Sequence, residues 1–153
     1  MNSNLHIARQ KKYFKNELAN YANYDESINA WRTYYISRIQ KDFNVYRVKN
    51  KTLLDIGTGS GYVAIEMARL GMSVIATDIV HSTLKNIDTY IKKNKIRSLT
   101  TLLCSAEKVP LKNESVDFIV VNSVLEHIEN EAAAIAQWKR ILKPGGKIFI
   151  TVP

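Results

Sequence analysis

The sequence predicts an α/β fold in which about five parallel strands form one sheet with helices on both of its faces. Two observations lead to this prediction. Short apolar runs alternate with segments of helical periodicity over residues 52–153, and strands separated by helices of about ten or more residues are typical of βαβ units. The first apolar run also ends in the glycines Gly57, Gly59 and Gly61, and such a turn allows a ligand to approach the backbone.

Strands and helices alternate regularly in this part of the chain. We predict strands over residues 52–56, 73–77, 100–104, 116–121 and 147–152, and helices over residues 60–70, 82–94 and 130–142. In the first of these helices a core stripe recurs at helical spacing and consists of Val63, Met67 and Leu70. Trp138 is predicted to pack in the core from the last helix. Residues 52–153 are therefore predicted to form one ligand-binding domain.

Residues 1–51 differ in composition, because they contain many aromatic residues but neither glycine nor proline. We predict two helices over residues 4–22 and 26–43 that form a lid over the carboxyl edge of the sheet. The aromatic side chains assigned to this lid are Tyr13, Phe14, Tyr21, Tyr24, Trp31, Tyr34, Tyr35, Phe43 and Tyr46. Tyr24 is a further candidate for a ligand contact, although an aromatic stripe is more often part of the core.

Charge and cysteine content restrict the possible functions. Residues 1–51 carry ten Lys and Arg against four Asp and Glu, a balance of +6, and residues 52–153 add +2 to give the net charge of +8. A basic lid suits an anionic acceptor, an acidic lipid surface or nucleic acid, but solvated helix faces explain it equally well. The single cysteine excludes an internal disulfide and, with no His/Cys cluster, no metal is predicted. With no long apolar run, we expect no transmembrane segment and a cytoplasmic location.

The glycine turn favours a nucleoside that carries an amino acid over a dinucleotide. Gly61 comes one residue earlier than the third glycine of the dinucleotide fingerprint. The carboxylate of Asp55 would repel a diphosphate but could accept a hydrogen bond from an ammonium group. Asp78 ends the second apolar run about twenty residues after Gly57, where Rossmann-like folds bind the ribose hydroxyls. The sequence therefore predicts a Rossmann-like nucleoside site.

These segments resemble the class I S-adenosylmethionine-dependent methyltransferases, and most closely the small-molecule "type 11" group that includes quinone-biosynthesis methyltransferases. The resemblance also covers segments 102–111, 117–127 and 142–153. It implies S-adenosyl-L-methionine as cofactor, with contacts from Asp55, Gly57, Thr58, Gly59, Gly61, Asp78, Ile79, Ser105, Ala106, Glu107 and Asn122. Relatives usually have an acidic residue at the position of Ser105, so here the adenine contact of that side chain is weakened.

The resemblance implies transfer of a methyl group to an O, N or C nucleophile of a small-molecule acceptor. The only candidates for a general base are His127 and Glu126, which follow the fourth strand. A nucleic-acid substrate is disfavoured, because residues 122–125 read Asn-Ser-Val-Leu rather than Asp/Asn-Pro-Pro-aromatic. In addition, Cys104 is predicted to lie in a buried strand rather than after a proline, where cytosine methyltransferases have their nucleophile.

Relatives continue beyond the fifth strand with a helix and a sixth and a seventh strand, whereas here Pro153 follows the fifth strand. We therefore expect either a fragment of a longer protein or an exposed strand edge that a partner or a second copy covers as a homodimer. The missing strands and Ser105 leave a second function open. The chain would then be a cofactor-binding or regulatory module without its own activity.

Overall fold

The computed structural model describes residues 8–13, 30–43 and 48–153. A single sheet of five strands lies at its centre: β1 (Thr52–Ile56), β2 (Ser73–Asp78), β3 (Leu99–Leu103), β4 (Val116–Asn122) and β5 (Leu142–Thr151). The spatial order is β3-β2-β1-β4-β5 and every pair is parallel. The predicted α/β fold with five parallel strands is therefore confirmed. The order reverses between β1 and β4, which is where ligands bind in open α/β sheets.

Helices pack on both faces of the sheet. They are α1 (Ala30–Phe43), α2 (Tyr62–Arg69), α3 (His81–Lys93) and α4 (Glu131–Ile141), and a 3-10 turn covers Leu125–His127. Residues 8–13 are also helical and are called the N-terminal helical segment below. The remaining residues of the two predicted lid helices lie outside the described residues, and so do the predicted lid aromatics Phe14, Tyr21, Tyr24 and Tyr46 and the side chain of Trp31.

The sheet separates two apolar cores. Because successive strand residues point to opposite faces, Leu53 packs on the side of α1, α2 and α3, and Leu54 packs on the side of α4. Trp138 of α4 is fully buried, as predicted. The predicted stripe of α2 is wrong at one position: Val63 and Met67 are buried, but Leu70 is 42% exposed, because the helix ends one residue before it.

The last strand differs from its predicted bounds, since β5 begins at Leu142 rather than at residue 147. Leu142 pairs with Val116, and the next pair joins Lys147 to Phe118. Residues 143–146 therefore bulge outward opposite a single residue of β4, Asp117. The Pro-Gly-Gly sequence thus forms a bulge inside a strand instead of a turn in front of it.

Helix α1 lies along one face of the sheet. Near its end, Phe43 is buried and stacks on Phe118 with ring centroids 4.4 Å apart. Near its start, the Arg32 guanidinium lies 4.9 Å from the centre of the Tyr62 ring, close to where β1 ends. The aromatic residues of α1 therefore do not share one role, because Phe43 belongs to the core and Tyr34 is 53% exposed.

Candidate functional site

The turn after β1 has the backbone conformation that its glycines predict. Gly57, Gly59 and Gly61 all have positive φ, at 65°, 54° and 79°. A Cβ at Gly57 would lie 2.4 Å from Cγ2 of Val124, and a Cβ at Gly61 would lie 2.9 Å from Ile87. Glycine is thus required both for the backbone conformation and for the close approach of neighbouring side chains.

Alanine at Gly57 is expected to lower the free energy of unfolding by about 2–4 kcal/mol, because it adds a steric clash to the strain of positive φ. The matched control is Gly71→Ala. Gly71 has φ 89°, but its added Cβ would meet nothing nearer than Cγ of Lys49 at 3.5 Å. Only the strain of the left-handed backbone conformation remains there, and it costs about 1 kcal/mol. Urea unfolding measures both variants. Equal losses would contradict the contact with Val124, whereas rescue of Gly57→Ala by Val124→Ala would support it.

Asp78 is held rigidly at the end of β2. One carboxylate oxygen, Oδ2, accepts a hydrogen bond from the backbone N–H of Gly59 at 3.0 Å, and the other accepts one from the N–H of Val80 at 2.8 Å. The side chain is buried, and this burial raises the pKa of Asp78 despite the two backbone hydrogen bonds. The carboxylate therefore connects the glycine turn to the end of the second strand.

A cavity of about 190 Å³ opens at this carboxyl edge. Among the sequence-predicted residues, it is lined by Gly57, Gly59, Asp78, Ile79, Ser105, Ala106, Glu107 and His127. It is also lined by residues that the sequence analysis did not assign to the site: Gln10, Thr77, Cys104, Ser123, Val124, Ile128 and Glu129. Four predicted contacts are not in its wall, namely Asp55, Thr58, Gly61 and Asn122. The structure thus brings together residues from the ends of β1, β2, β3 and β4.

Asp55 lies beneath the glycine turn instead of facing the cavity. Its carboxylate accepts a hydrogen bond from Oγ1 of Thr58 at 2.6 Å, and the backbone N–H of Thr58 donates to the carbonyl of Thr77 at 2.8 Å. Asp55 is 2% exposed, and this burial raises its pKa to about 7. In this structure the residue stabilises the turn from below.

The segment after β3 is fixed by hydrogen bonds of its own. The hydroxyl of Ser105 accepts from the backbone N–H of Glu107 at 3.3 Å, and a carboxylate oxygen of Glu107 accepts from the N–H of Asn130 at 3.1 Å. The indole N–H of Trp138 donates to the carbonyl of Ala106 at 2.9 Å. Trp138 is thus a core residue that also positions one wall of the cavity.

Cys104 does not lie in a buried strand, because β3 ends at Leu103. The residue is partly exposed and lines the cavity. Burial raises the pKa of its thiol to about 11, so the reactive thiolate is scarce at neutral pH. The position of Cys104 directly before Ser105 is the only sequence signal that could have assigned it to the wall.

Asn122 joins three elements next to the cavity. Its side-chain amide donates to the hydroxyl of Tyr62 at 2.7 Å, and its carbonyl oxygen accepts from Oγ1 of Thr151 at 2.5 Å. The Tyr62 ring in turn lies under the Arg32 guanidinium. Asn122 therefore stabilises the ends of β4 and β5 against the start of α2.

His127 lies in the cavity wall beside the N-terminal helical segment. The side-chain amide of Gln10 donates a hydrogen bond to the carbonyl of His127, so this segment reaches the mouth of the cavity. Nε2 of His127 lies 3.9 Å from a carboxylate oxygen of Glu126. Among residues 8–13, 30–43 and 48–153, no group of three or more metal-binding side chains is found.

The fold and the cavity define an α/β nucleoside-binding domain, with the glycine turn, the strand-end carboxylate and the third-strand loop meeting at one edge. The sequence pattern of a family described as "Methyltransferase domain" matches residues 54–150. The chain belongs to this family, the type 11 group of class I S-adenosylmethionine-dependent methyltransferases.

Curated relatives match the same part of the chain. It is 32% identical over 102 residues to the mitochondrial ubiquinone biosynthesis O-methyltransferase of Rattus norvegicus, covering 65% of this chain and 30% of that protein. It is 28% identical over 118 residues to the ubiquinone biosynthesis O-methyltransferase of Rickettsia akari, covering 77% and 46%. The chain thus spans less than half the length of these two relatives.

Solved structures support the fold. A methyltransferase from Aquifex aeolicus described as S-adenosylmethionine-dependent superposes with a TM-score of 0.65 at 23% identity, covering 72% of this chain and 61% of that chain. The [4+2]-cyclase SpnF gives a TM-score of 0.72 at 18% identity, covering 77% and 44%. Helices long and apolar enough to cross a membrane are absent from the part of the chain that the structure describes.

Proposed function

We propose that this chain binds S-adenosyl-L-methionine at the carboxyl edge of the sheet and transfers its methyl group to a small-molecule acceptor. The observation that carries the proposal is the Asp78 carboxylate, which lines the cavity while hydrogen bonds from Gly59 and Val80 hold it in place. A carboxylate fixed in this way can accept both hydroxyl groups of a ribose without reorganising. The family membership supports the same assignment.

The cofactor would extend along the cavity from the glycine turn to the loop after β3. Gly57 and Gly59 would contact its methionine end, Asp78 and Ile79 its ribose, and Ser105, Ala106 and Glu107 its adenine. Four further residues hold these cofactor-binding residues in place: Gly61, Thr58, Asp55 and Asn122. Asp55 stabilises the turn through Thr58, and Asn122 stabilises the strand ends through Tyr62 and Thr151.

The bound cofactor supplies an activated methyl group on its sulfonium. The chain's own residues bind the two reactants, align the nucleophile in line with the methyl carbon and exclude water, which can supply a large part of the rate acceleration. Gln10 contributes to exclusion, because its hydrogen bond to the His127 carbonyl keeps the N-terminal helical segment at the cavity mouth. This supports the assignment of residues 1–51 as a lid and residues 52–153 as the cofactor domain.

The proposed nucleophile is a hydroxyl group, because the two curated relatives are named O-methyltransferases. The experiment is to incubate the chain with cofactor carrying a tritiated methyl group and with phenols, catechols, aromatic carboxylates and amines. We expect label in a hydroxyl acceptor and stoichiometric S-adenosylhomocysteine. Label in an amine instead would contradict the hydroxyl assignment. Tight cofactor binding with no transfer would support the alternative of a binding module.

His127 is the proposed general base, because it lines the cavity and no other imidazole does so among the described residues. His127→Gln is expected to lower kcat about a hundredfold at unchanged cofactor affinity, since proton abstraction typically contributes at least that factor. Glu126→Gln is the matched control and should change kcat only about twofold or less. Unchanged turnover in His127→Gln would remove this role without affecting the cofactor site.

Three statements about the whole protein belong to the same proposal. A cytoplasmic location agrees with a single free cysteine. An anionic acceptor agrees with Arg32, whose guanidinium lies at the carboxyl edge above Tyr62.

A homodimer would cover the outer edge of β5, where Ile150 is 41% exposed. Sedimentation of the chain tests the homodimer, and a monomer at micromolar concentration would contradict it.

A further inference from the structure

The edge of the sheet opposite the cavity is formed by the segments that precede the strands. Backbone hydrogen bonds join these segments into one surface. Asn50 N–H donates to the Gly71 carbonyl at 3.1 Å, and Ser73 N–H donates to the Lys51 carbonyl at 2.9 Å. Ser115 N–H likewise donates to the carbonyl of Ile141 at 2.8 Å. We call this surface the amino edge.

Lysines dominate the centre of the amino edge. Asp117 lies 3.3 Å from Nζ of Lys51 and 2.9 Å from Nζ of Lys143, so one carboxylate serves two ammonium groups. Lys147 donates to the backbone carbonyl of Asp42 at 3.1 Å. Lys49 is exposed beside them. This centre therefore retains an excess of positive charge after its ion pairs are counted.

A second basic group continues the surface beneath β3. It comprises Lys92, Lys93, Lys95 and Arg97, all exposed, in the end of α3 and the loop that leads to β3. Lys92 and Lys93 lie in the last turn of a helix, where the macrodipole favours cations. That effect does not account for the lysines of the loops and strand ends, so the accumulation needs another explanation.

The opposite edge has the reverse character. Around the cavity, acidic side chains follow β3 and β4 and include Glu107, Glu126, Glu129 and Glu131. The described part of the chain is thus electrically polarised along the strand direction. Basic residues also occur at this edge, since Arg32 lies above Tyr62 and Lys108 follows Glu107, but acidic side chains offset them here, whereas lysines outnumber acidic residues at the amino edge.

We propose that the amino edge docks on an anionic phospholipid bilayer. Clustered lysines near such a surface each contribute to its attraction without a defined contact geometry. Leu70, 42% exposed, follows α2 at this edge and can enter the headgroup region. Binding of single-stranded nucleic acid would require exposed aromatic rings for base stacking. The strongly exposed aromatic residues of the described chain, Tyr13 and Tyr34, instead belong to the N-terminal helical segment and the early part of α1.

Docking in this way directs the cavity away from the bilayer. The strands run from the amino edge to the cavity, so a bilayer at one end of the sheet leaves the other end open to water. The acceptor would then reach the cavity from the aqueous side while the enzyme stays on the membrane surface. This inference does not depend on the proposed methyl transfer, because it concerns the other edge of the sheet.

Sedimentation with sucrose-loaded vesicles tests the docking on the full chain. The vesicles contain phosphatidylcholine with about a third phosphatidylserine, or phosphatidylcholine alone as the neutral reference. The triple variant Lys49→Gln, Lys92→Gln, Lys93→Gln removes three exposed charges from the amino edge and should weaken binding about a hundredfold, at about fivefold per lysine. The matched control Lys12→Gln, Lys85→Gln, Lys108→Gln removes three exposed lysines elsewhere and should bind like the unmodified chain.

Each outcome decides for or against the bilayer. Binding that requires phosphatidylserine, weakens with salt and is lost only in the amino-edge variant supports it. Equal loss in both triple variants, or equal binding to neutral vesicles, overturns it. Tighter binding to a single-stranded RNA oligonucleotide than to the vesicles at the same ionic strength also overturns it, in favour of nucleic acid. Circular dichroism of each variant shows whether its fold is retained.

Discussion

Replacing Asp78 with alanine is expected to weaken the binding of S-adenosylmethionine about a hundredfold or more. The carboxylate is buried and fixed by the N–H groups of Gly59 and Val80, so its free lone pairs can accept both ribose hydroxyls. Hydrogen bonds to a charged group contribute about 1.5–3 kcal/mol each, and the loss of two corresponds to at least two orders of magnitude. Isothermal titration with S-adenosylhomocysteine measures the change without turnover.

The matched control is Asp88→Ala. Asp88 is a partly buried carboxylate on α3 that accepts a hydrogen bond from Oγ1 of Thr101 at 2.8 Å, as Asp78 accepts from its own neighbours. It does not line the cavity, so its removal should leave cofactor affinity unchanged. A folded Asp78→Ala chain that binds within about threefold of the unmodified chain would contradict the ribose assignment.

Asp55 is expected to make the free energy of unfolding fall as the pH rises from about 4 to about 7. Burial raises its pKa in the folded state from 3.8 to about 7. Between pH 3.8 and about 7, the carboxyl group of Asp55 is protonated in the folded chain and ionised in the unfolded chain. Its contribution to the free energy of unfolding is therefore fully present below pH 3.8 and is lost as the pH rises through about 7. The loss is about 4 kcal/mol. Asp78, whose pKa burial also raises, acts in the same direction.

Asp55→Asn should therefore be more stable relative to the unmodified chain at pH 8 than at pH 5. Urea unfolding at the two pH values measures this difference. Asp117→Asn is the control: burial acts to raise the pKa of Asp117, but hydrogen bonds from Thr52, Lys143 and Lys51 lower it overall. Its stabilising effect is lost only as the pH falls below about 4, so this variant should differ from the unmodified chain equally at pH 5 and pH 8. A pH-independent Asp55→Asn effect would show that Asp55 stays ionised.

The fold and part of the candidate site could be predicted from the local sequence. The glycine turn required positive φ at spaced positions, and Gly57, Gly59 and Gly61 adopt it. Asp78 is the last residue of β2, and the apolar pattern marks the end of that strand clearly. In parallel sheets the strand ends meet at one edge, so the positions of Asp78 and of the loop after β3 were also predictable from the order of elements.

Other features depend on contacts between distant segments and leave no local pattern. Gln10 reaches the carbonyl of His127, 117 residues later in the chain. The side chain of Asp55 turns toward Thr58 and away from the cavity, although its position in the motif is unchanged. The start of β5 was missed because a Pro-Gly-Gly sequence usually ends an element, whereas here four residues bulge opposite Asp117 and pairing continues on both sides.

The position of the cofactor is the central claim, and amide chemical shifts of the unmodified, nitrogen-15-labelled chain test it most directly. On titration with S-adenosylmethionine, we predict saturable one-to-one shifts that concentrate at Gly57, Gly59, Ile79, Ala106 and Glu107. These amides lie around the carboxyl-edge cavity. A folded chain whose amides do not move, or whose shifts concentrate at Lys49 and Lys147 on the amino edge, would contradict the claim.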